Sequence, residues 1–338
     1  MEKQGYWTDL IRSLIESQWK LCISLILSML CWSCNDDGLT SIDNNIEVYT
    51  KLSEYTIFQG ALSNLEPTAD FKVYELSTEL FSDYAEKQRL IKIPEGNTLS
   101  SRNDGLPDFP EGTILVKTFY YFNDKRDHTK GKKIIETRLL IKKDSLWNVA
   151  TYIWNEAQDD AFLITTGLDR TVNWINAKGE GKVIAYHIPS HRECTSCHYT
   201  SNATFPIGPK LRNLNKEVLR NGIAVNQLTH LYNEEILNEI DPSSVSELPA
   251  WYDGSKYTVA QRARAYLDIN CAHCHNPLGM AADNGLNLNY ETDLNGTGIT
   301  DNKSRIIEKM ETLEMPFIGT TMIDNEGLEL IKEYMESL

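Results

Sequence analysis

Cys194-Thr195-Ser196-Cys197-His198 and Cys271-Ala272-His273-Cys274-His275 repeat one pattern: two cysteines two residues apart, with a histidine directly behind. Between Cys197 and Cys271 lie 73 residues. The pattern is that of covalent c-type haem attachment. Two thiols add across the two vinyl groups of a porphyrin, whose span the two-residue spacer matches. The adjacent histidine then reaches the iron from the proximal side. A zinc ribbon also pairs such cysteines, but its knuckles sit roughly 15–20 residues apart. A thioredoxin-like dithiol needs a strand-to-helix setting and normally occurs once. Neither asks for a histidine after both pairs. The expected cofactors are therefore two covalently bound haem c groups. Cys194 and Cys197 hold the first, with His198 proximal; Cys271 and Cys274 hold the second, with His275 proximal.

The sixth ligands follow less directly. Met315, in Met315-Pro316, lies 40 residues beyond His275 and just before a terminal helical pattern. A thioether opposite histidine stabilises reduced iron and raises its potential. Met310 and Met322 are rivals on the same stretch, and packing is the default role of this side chain. Between His198 and Met280 there is no methionine. His230, on a helical pattern, is the candidate for the first iron, against an open site or a non-histidine ligand. His187 and His191 precede the first motif too closely to cross to its far face without a loop back. Arg262 and Arg264 precede the second motif; one of them is a candidate partner for a haem propionate, against a solvated helix face. The stretch Asp283 to Asn302 lacks calcium-loop spacing and reads as a plain loop.

Working outward, the chain divides at changes of texture. Residues 51–190 read mainly as strands. Thr113–Phe122 and Lys133–Ile141 flank the charged turn Asn123–Asp127 and suggest a hairpin. Trp147–Trp154 and Lys182–His187 extend the pattern, with Trp147, Trp154 and Trp174 as core or rim residues. After residue 190, short helices and loops take over: 191–250 carries the first motif and 251–338 the second. Helical spacing runs through Val225–Ile236, Thr258–Asn270 and Glu326–Leu338. Phe205-Pro206-Ile207-Gly208-Pro209-Lys210-Leu211 resembles the Gly-Pro loop behind the haem motif of small cytochromes c. A helix, the second motif, a methionine loop and a terminal helix also follow the order of such a domain. The fold expectation is α+β: an N-terminal β-sandwich-like domain followed by an α-helical, cytochrome c-like haem region.

Seven cysteines occur, and the three outside the motifs, Cys22, Cys31 and Cys34, fall near the start. The apolar run Leu21–Leu30 behind Arg12 and Lys20 is short for a membrane span and fits an export signal. Ser33-Cys34 resembles a bacterial lipoprotein cleavage site, with residues 1–33 as leader, Cys34 lipidated and 34–50 a polar tether. Asp36-Asp37 behind it resembles a surface-export tag. The expected location is the periplasm or cell surface, on the outer membrane through that anchor. Net charge is −15, and residues 1–33 carry equal numbers of acidic and basic groups. An acidic surface disfavours nucleic acid and anionic lipid heads. It favours solubility and is compatible with a redox partner bearing a basic face.

The chain also resembles an uncharacterised bacterial family of dihaem c-type cytochromes. In the β-region the likeness rests on Leu80-Phe81-Ser82-Asp83-Tyr84-Ala85-Glu86-Lys87, Phe109-Pro110-Glu111-Gly112-Thr113, Glu136-Thr137-Arg138-Leu139-Leu140 and Tyr152-Ile153-Trp154-Asn155-Glu156. Around the motifs it rests on Ile207-Gly208-Pro209-Lys210-Leu211-Arg212-Asn213-Leu214, on Arg262 through Asn276, and on Met315-Pro316. It implies haem binding and electron transfer, names no substrate, and lends no support to His230. The leading expectation is an electron carrier between periplasmic or cell-surface redox proteins. The alternatives are a peroxidase-like dihaem oxidoreductase acting at an open first iron, and a β-domain that binds a glycan or protein and carries the cytochrome to it.

Overall fold

Between residues 86 and 164 apolar and polar side chains alternate in runs broken by turns, the signature of antiparallel strands with two different faces. The computed structural model describes residues 48–101, 103–200 and 203–338. Six strands form one antiparallel sheet in chain order: β1 (Lys72–Val73), β2 (Glu86–Lys92), β3 (Ile114–Phe122), β4 (Lys132–Lys143), β5 (Leu146–Trp154) and β6 (Ala161–Ile164). The expected hairpin is β3–β4, with Leu115 opposite Leu140 and Val116 opposite Leu139. Between β4 and β5, Asp144 and Ser145 both take positive φ, 54° and 65°. That two-residue primed turn matches the twist of the strands it joins.

One face of the sheet is a conventional core. Leu90, Val116, Leu139, Ala150 and Trp154 pack under Leu52, Ile57 and Phe71 from the preceding segment. Trp154 donates to the Thr137 hydroxyl at 3.0 Å, and Thr137 shares a 2.9 Å bond with Thr118. Trp147, Trp154 and Trp174 are all buried, as expected of core residues.

The other face is banded. At one end Ile91, Leu115, Leu140 and Trp147 pack against Leu211, Leu214 and Leu228 of the helical region. At the other, Phe119, Ile135 and Ile153 pack against the hairpin of β7 (Leu168–Ile175) and β8 (Gly181–Ile188), through Val172, Trp174, Ile184 and Tyr186. Between the bands, Arg89, Lys117, Arg138 and Thr151 line up across β2 to β5. The fold is thus α+β, but the expected sandwich is corrected to one sheet with a two-stranded partial cover. A row of cations cannot be buried against a second apolar sheet at tolerable cost, so the second layer stops short of it.

Six α-helices lie among the described residues: α1 (His191–Cys197), α2 (Leu211–Leu214), α3 (Gln227–Asn233), α4 (Val259–Asn270), α5 (Ile299–Glu311) and α6 (Asn325–Glu336). The helix expected from Val225 begins at Gln227, because Val225 closes a hairpin of Glu217–Arg220 with Ile223–Asn226 and Asn226 caps the helix. Thr258 and Gln261 form a capping box that starts α4, which ends where the second motif begins. Ala263, Tyr266 and Leu267 of α4 pack on Leu328, Ile331 and Tyr334 of α6. Gly327 permits that approach, since a methyl group there would meet the Tyr266 ring at 2.5 Å. No described helix is long and apolar enough to cross a membrane. The expected leader, Cys34 and the tether up to residue 47 lie outside the described residues.

The segments 51–190, 191–250 and 251–338 are bonded into one compact unit. The Thr78 N–H donates to the Asn213 carboxamide oxygen (2.9 Å) and its hydroxyl donates to the Pro249 carbonyl (2.7 Å). The Phe81 N–H donates to Asn270, the residue before Cys271, at 2.7 Å. Buried Asp83 accepts bonds from the Thr321 and Met322 N–H groups and the Thr321 hydroxyl, at 2.9 to 3.1 Å. Asp83→Ala is expected to cost about 1–3 kcal/mol by orphaning those donors. Urea unfolding beside Ser82→Ala, which removes none of those bonds, checks it.

Candidate functional site

The first motif rides on α1. A capping box between Ser190 and Glu193 starts this helix, and its first turn lies on β5. Cys194 is buried, with its sulfur 3.9 Å from the Thr151 hydroxyl. His198 Nδ1 lies 2.7 Å from the Phe205 carbonyl. A carbonyl only accepts, so Nδ1 carries the proton and Nε2 keeps its lone pair. Burial is the main reason that the His198 imidazole is pushed down to about 3, and the charges of Lys117, His273 and Arg138 add to it.

A cavity opens beside the motif. It is walled by Lys117, Arg138 and Val149 of the sheet, by Cys194, Cys197 and His198, by Phe81 and Pro206, and by the loop from Pro316 to Thr320. Two cations at its floor have different surroundings. Arg138 donates to both oxygens of fully buried Glu136, at 2.8 and 2.5 Å, and Glu136 also accepts from the Tyr186 hydroxyl at 2.7 Å. Lys117 has no carboxylate of its own among the described residues; its Nζ sits 4.8 Å from the Phe119 ring centre. Burial, then the charges of Arg89, Lys87 and Arg138, push its ammonium well below the ordinary lysine range.

The second motif follows α4 directly. Cys271 and His275 each line two adjoining cavities, and Met315 lines both of them. Burial pushes the Cys271 thiol up to about 12. The Asn284 side-chain NH2 donates to His275 Nδ1 at 2.7 Å, while its oxygen accepts from the Leu286 N–H at 3.1 Å. Met310 is buried in the α4–α6 core and also edges one of these cavities. Met322 packs by the β7–β8 hairpin, away from both, so packing accounts for it.

The two motifs meet. Cys197 is within side-chain bonding reach of both Cys274 and His273; the Cys274 contact and burial push its thiol up, and His273 opposes them. Cys197, His273, Pro316 and Ile318 line the first cavity and the second alike. Sulfurs 77 residues apart in the chain are thus neighbours. Among the described residues no three His, Cys, Asp or Glu side chains gather as they would around a bare metal ion.

Other expected residues lie elsewhere. His230 sits on α3 with Arg220, Glu234 and Lys72 as its charged neighbours, and does not line the first cavity. The helix carries it to the apolar end of the sheet, so His230 is not brought to His198. Arg264 is spent on the carbonyls of Asn289 and Thr292, at 2.8 Å each, and Arg262 on that of Trp251. Both hold loops, and neither lines a cavity beside a motif. The residues missed in sequence are Lys117, Glu136 and Arg138. Their signal was a charge at an inward position of an apolar strand, legible once the register is known.

His187 joins the hairpin to α1. Its Nδ1 is 2.6 Å from Asp169 on β7 and its Nε2 is 3.2 Å from Glu193. Partial burial opposes its charge, but the two carboxylates outweigh it and raise the imidazole above 6.5. With the folded value above the unfolded one, this stabilisation is fully present below pH 6.5 and is lost as pH rises through the raised value. Urea midpoints are expected to fall across that window in the wild type and to change less in His187→Gln.

Comparison with protein-family models, with curated proteins and with solved structures finds no match.

Proposed function

We propose that this chain is an exported dihaem c-type cytochrome that passes single electrons between periplasmic or cell-surface redox proteins. One observation carries the reading: two attachment motifs, distant in sequence, adjoin at Cys197 and Cys274. The residues present fit the group. Each motif offers two thiols, standing for the thioether sulfurs of the mature protein, and one imidazole with its Nδ1 engaged. Each also borders a cavity with apolar walls. Haem bound there supplies a one-electron couple whose potential is set by its axial ligands and surroundings.

The chain's own residues do the rest. Phe205 and Asn284 hold the rings of the two proximal imidazoles, as outer partners do, and the Phe205 carbonyl fixes the His198 tautomer. Met315 is the candidate thioether for the second site, held by its N–H to the Lys309 carbonyl at 3.0 Å. Cys197 and Cys274 would bring the two attachment edges together, which favours rapid exchange between the sites. The α4–α6 pair and the methionine loop between α5 and α6 support a cytochrome c-like arrangement for the second site. Membership in the resembled family, lipidation at Cys34 and an outer-membrane location belong to the same proposal.

The test is the intact mass after denaturation, for protein made in a host competent in cytochrome maturation. Two added macrocycles are expected, and one in the Cys271→Ala/Cys274→Ala variant. A mass without either macrocycle ends the proposal.

A further inference from the structure

We propose that the side-chain nitrogen of Lys117 is the second axial ligand of the iron held by His198. This rests on the dihaem reading above and deepens it at the first site.

The geometry selects the residue by elimination among groups that face the cavity. No methionine lines it, and His230 is elsewhere. Cys194 and Cys197 are consumed by attachment, and His198 is the proximal ligand. Glu193 is committed to capping α1 through the Ser190 N–H and hydroxyl, at 2.8 Å each. Arg138 has no lone pair to give, and both its ends are held by Glu136. His273 keeps a buried Nδ1 without a hydrogen-bond partner, but it sits against Cys197, at the attachment edge rather than away from it. Tyr74, Ser82 and Thr320 offer neutral hydroxyls, which are weak donors to iron.

Lys117 differs from all of these. It projects from the middle row of the sheet into the cavity that His198 lines. Its two neighbours in the row have their own carboxylates: Arg89 takes Glu79 at 3.0 Å on both nitrogens, and Arg138 takes Glu136. Among the described residues Lys117 makes no ion pair; the carboxylate acting on it, Glu79, is already bonded to Arg89. A half-buried cation with only an aromatic ring for a partner carries a cost that a fold normally removes. Coordination removes it: the nitrogen lone pair forms the bond to iron, the ammonium proton leaves to solvent, and no electron changes hands.

The experiment uses the full chain from a cytochrome-maturing host, with Lys117→Ala, Lys117→Arg and Lys117→Met. Mass is read first, then electron paramagnetic resonance and the near-infrared band of the oxidised protein. Wild type should show two low-spin irons, one with nitrogen on both sides. Lys117→Ala and Lys117→Arg should convert that iron alone to high spin, with both macrocycles retained. Lys117→Met should return it to low spin with a histidine–thioether signature. If Arg keeps the low-spin signal, the residue serves by charge, and the proposal is overturned. It is equally overturned if His273→Phe, and not the lysine variants, causes the loss, or if the wild-type first iron is already high spin and binds cyanide. The last result would favour the oxidoreductase alternative. Protein lacking both macrocycles would instead overturn the underlying reading of the motifs.

Discussion

Glu136→Ala should cost about 3–5 kcal/mol, the penalty for stranding one charge of a buried pair. Glu136 is fully buried on β4 and receives three bonds, two from Arg138 and one from Tyr186. Its removal leaves the Arg138 guanidinium with no counter-charge beside Lys117, in a row that already carries more cations than anions. It also frees a buried tyrosine hydroxyl, and the tyrosine is the core residue that joins the β7–β8 hairpin to the sheet. Glu136→Gln keeps one acceptor oxygen and fills the same space, so it should lose less, although its NH2 replaces an oxygen that accepts. Pairing Glu136→Ala with Arg138→Met should recover part of the loss, since deleting both partners is far milder than deleting one. Urea unfolding of wild type, Glu136→Ala, Arg138→Met and the double variant forms a double-mutant cycle. If Glu136→Ala is no less stable than Glu136→Gln, the buried pair has been misread.

Met315→Ala should carry the second large effect, on the iron that His275 would hold. Under the proposed function the mass should still include two macrocycles, because no thiol is touched. One low-spin signal should disappear, and the potential of that site should fall by at least ~0.1 V, a fraction of the roughly 0.8 V over which axial ligands tune haem. Met310→Ala should leave the spectrum alone and destabilise the α4–α6 core by about 2–5 kcal/mol, as deletions of buried methionine do. Met280 shares one cavity with Met315 and serves as the control. Loss of the signal in Met280→Ala, with Met315→Ala unchanged, would transfer the assignment.

Much of this architecture is written in local pattern. β3, β4 and β5 follow from alternation, and α4 and α6 follow from helical spacing and caps. The two motifs and Met315 are legible from identity and order alone, and the structure brings Met315 to the cavities that His275 lines. What could not be read was non-local. The sandwich expectation failed because Arg89, Lys117 and Arg138 become one row only when three strands take their register. His230 failed because helical spacing says that a residue is on a face, without saying which end of the sheet that face meets. Arg262 and Arg264 failed for a related reason: their partners are loop carbonyls, which carry no sequence signal. The meeting of Cys197 with Cys274 depends on how the 80–84 segment ties α4 and the 315–322 loop to the sheet, and no window of residues contains that.

The walls of the first cavity come from stretches as distant as Phe81 and Thr320, and this sets an order of events in biogenesis. Once the 316–320 loop has docked, Cys194 is only 5% exposed, and an attachment enzyme has no approach to it. Under the proposed function, the porphyrin at Cys194 would therefore be ligated while the polypeptide is still open, with the carboxy-terminal segment closing last, like a latch. On that reading, a molecule that closed early would be compact yet lack its first macrocycle.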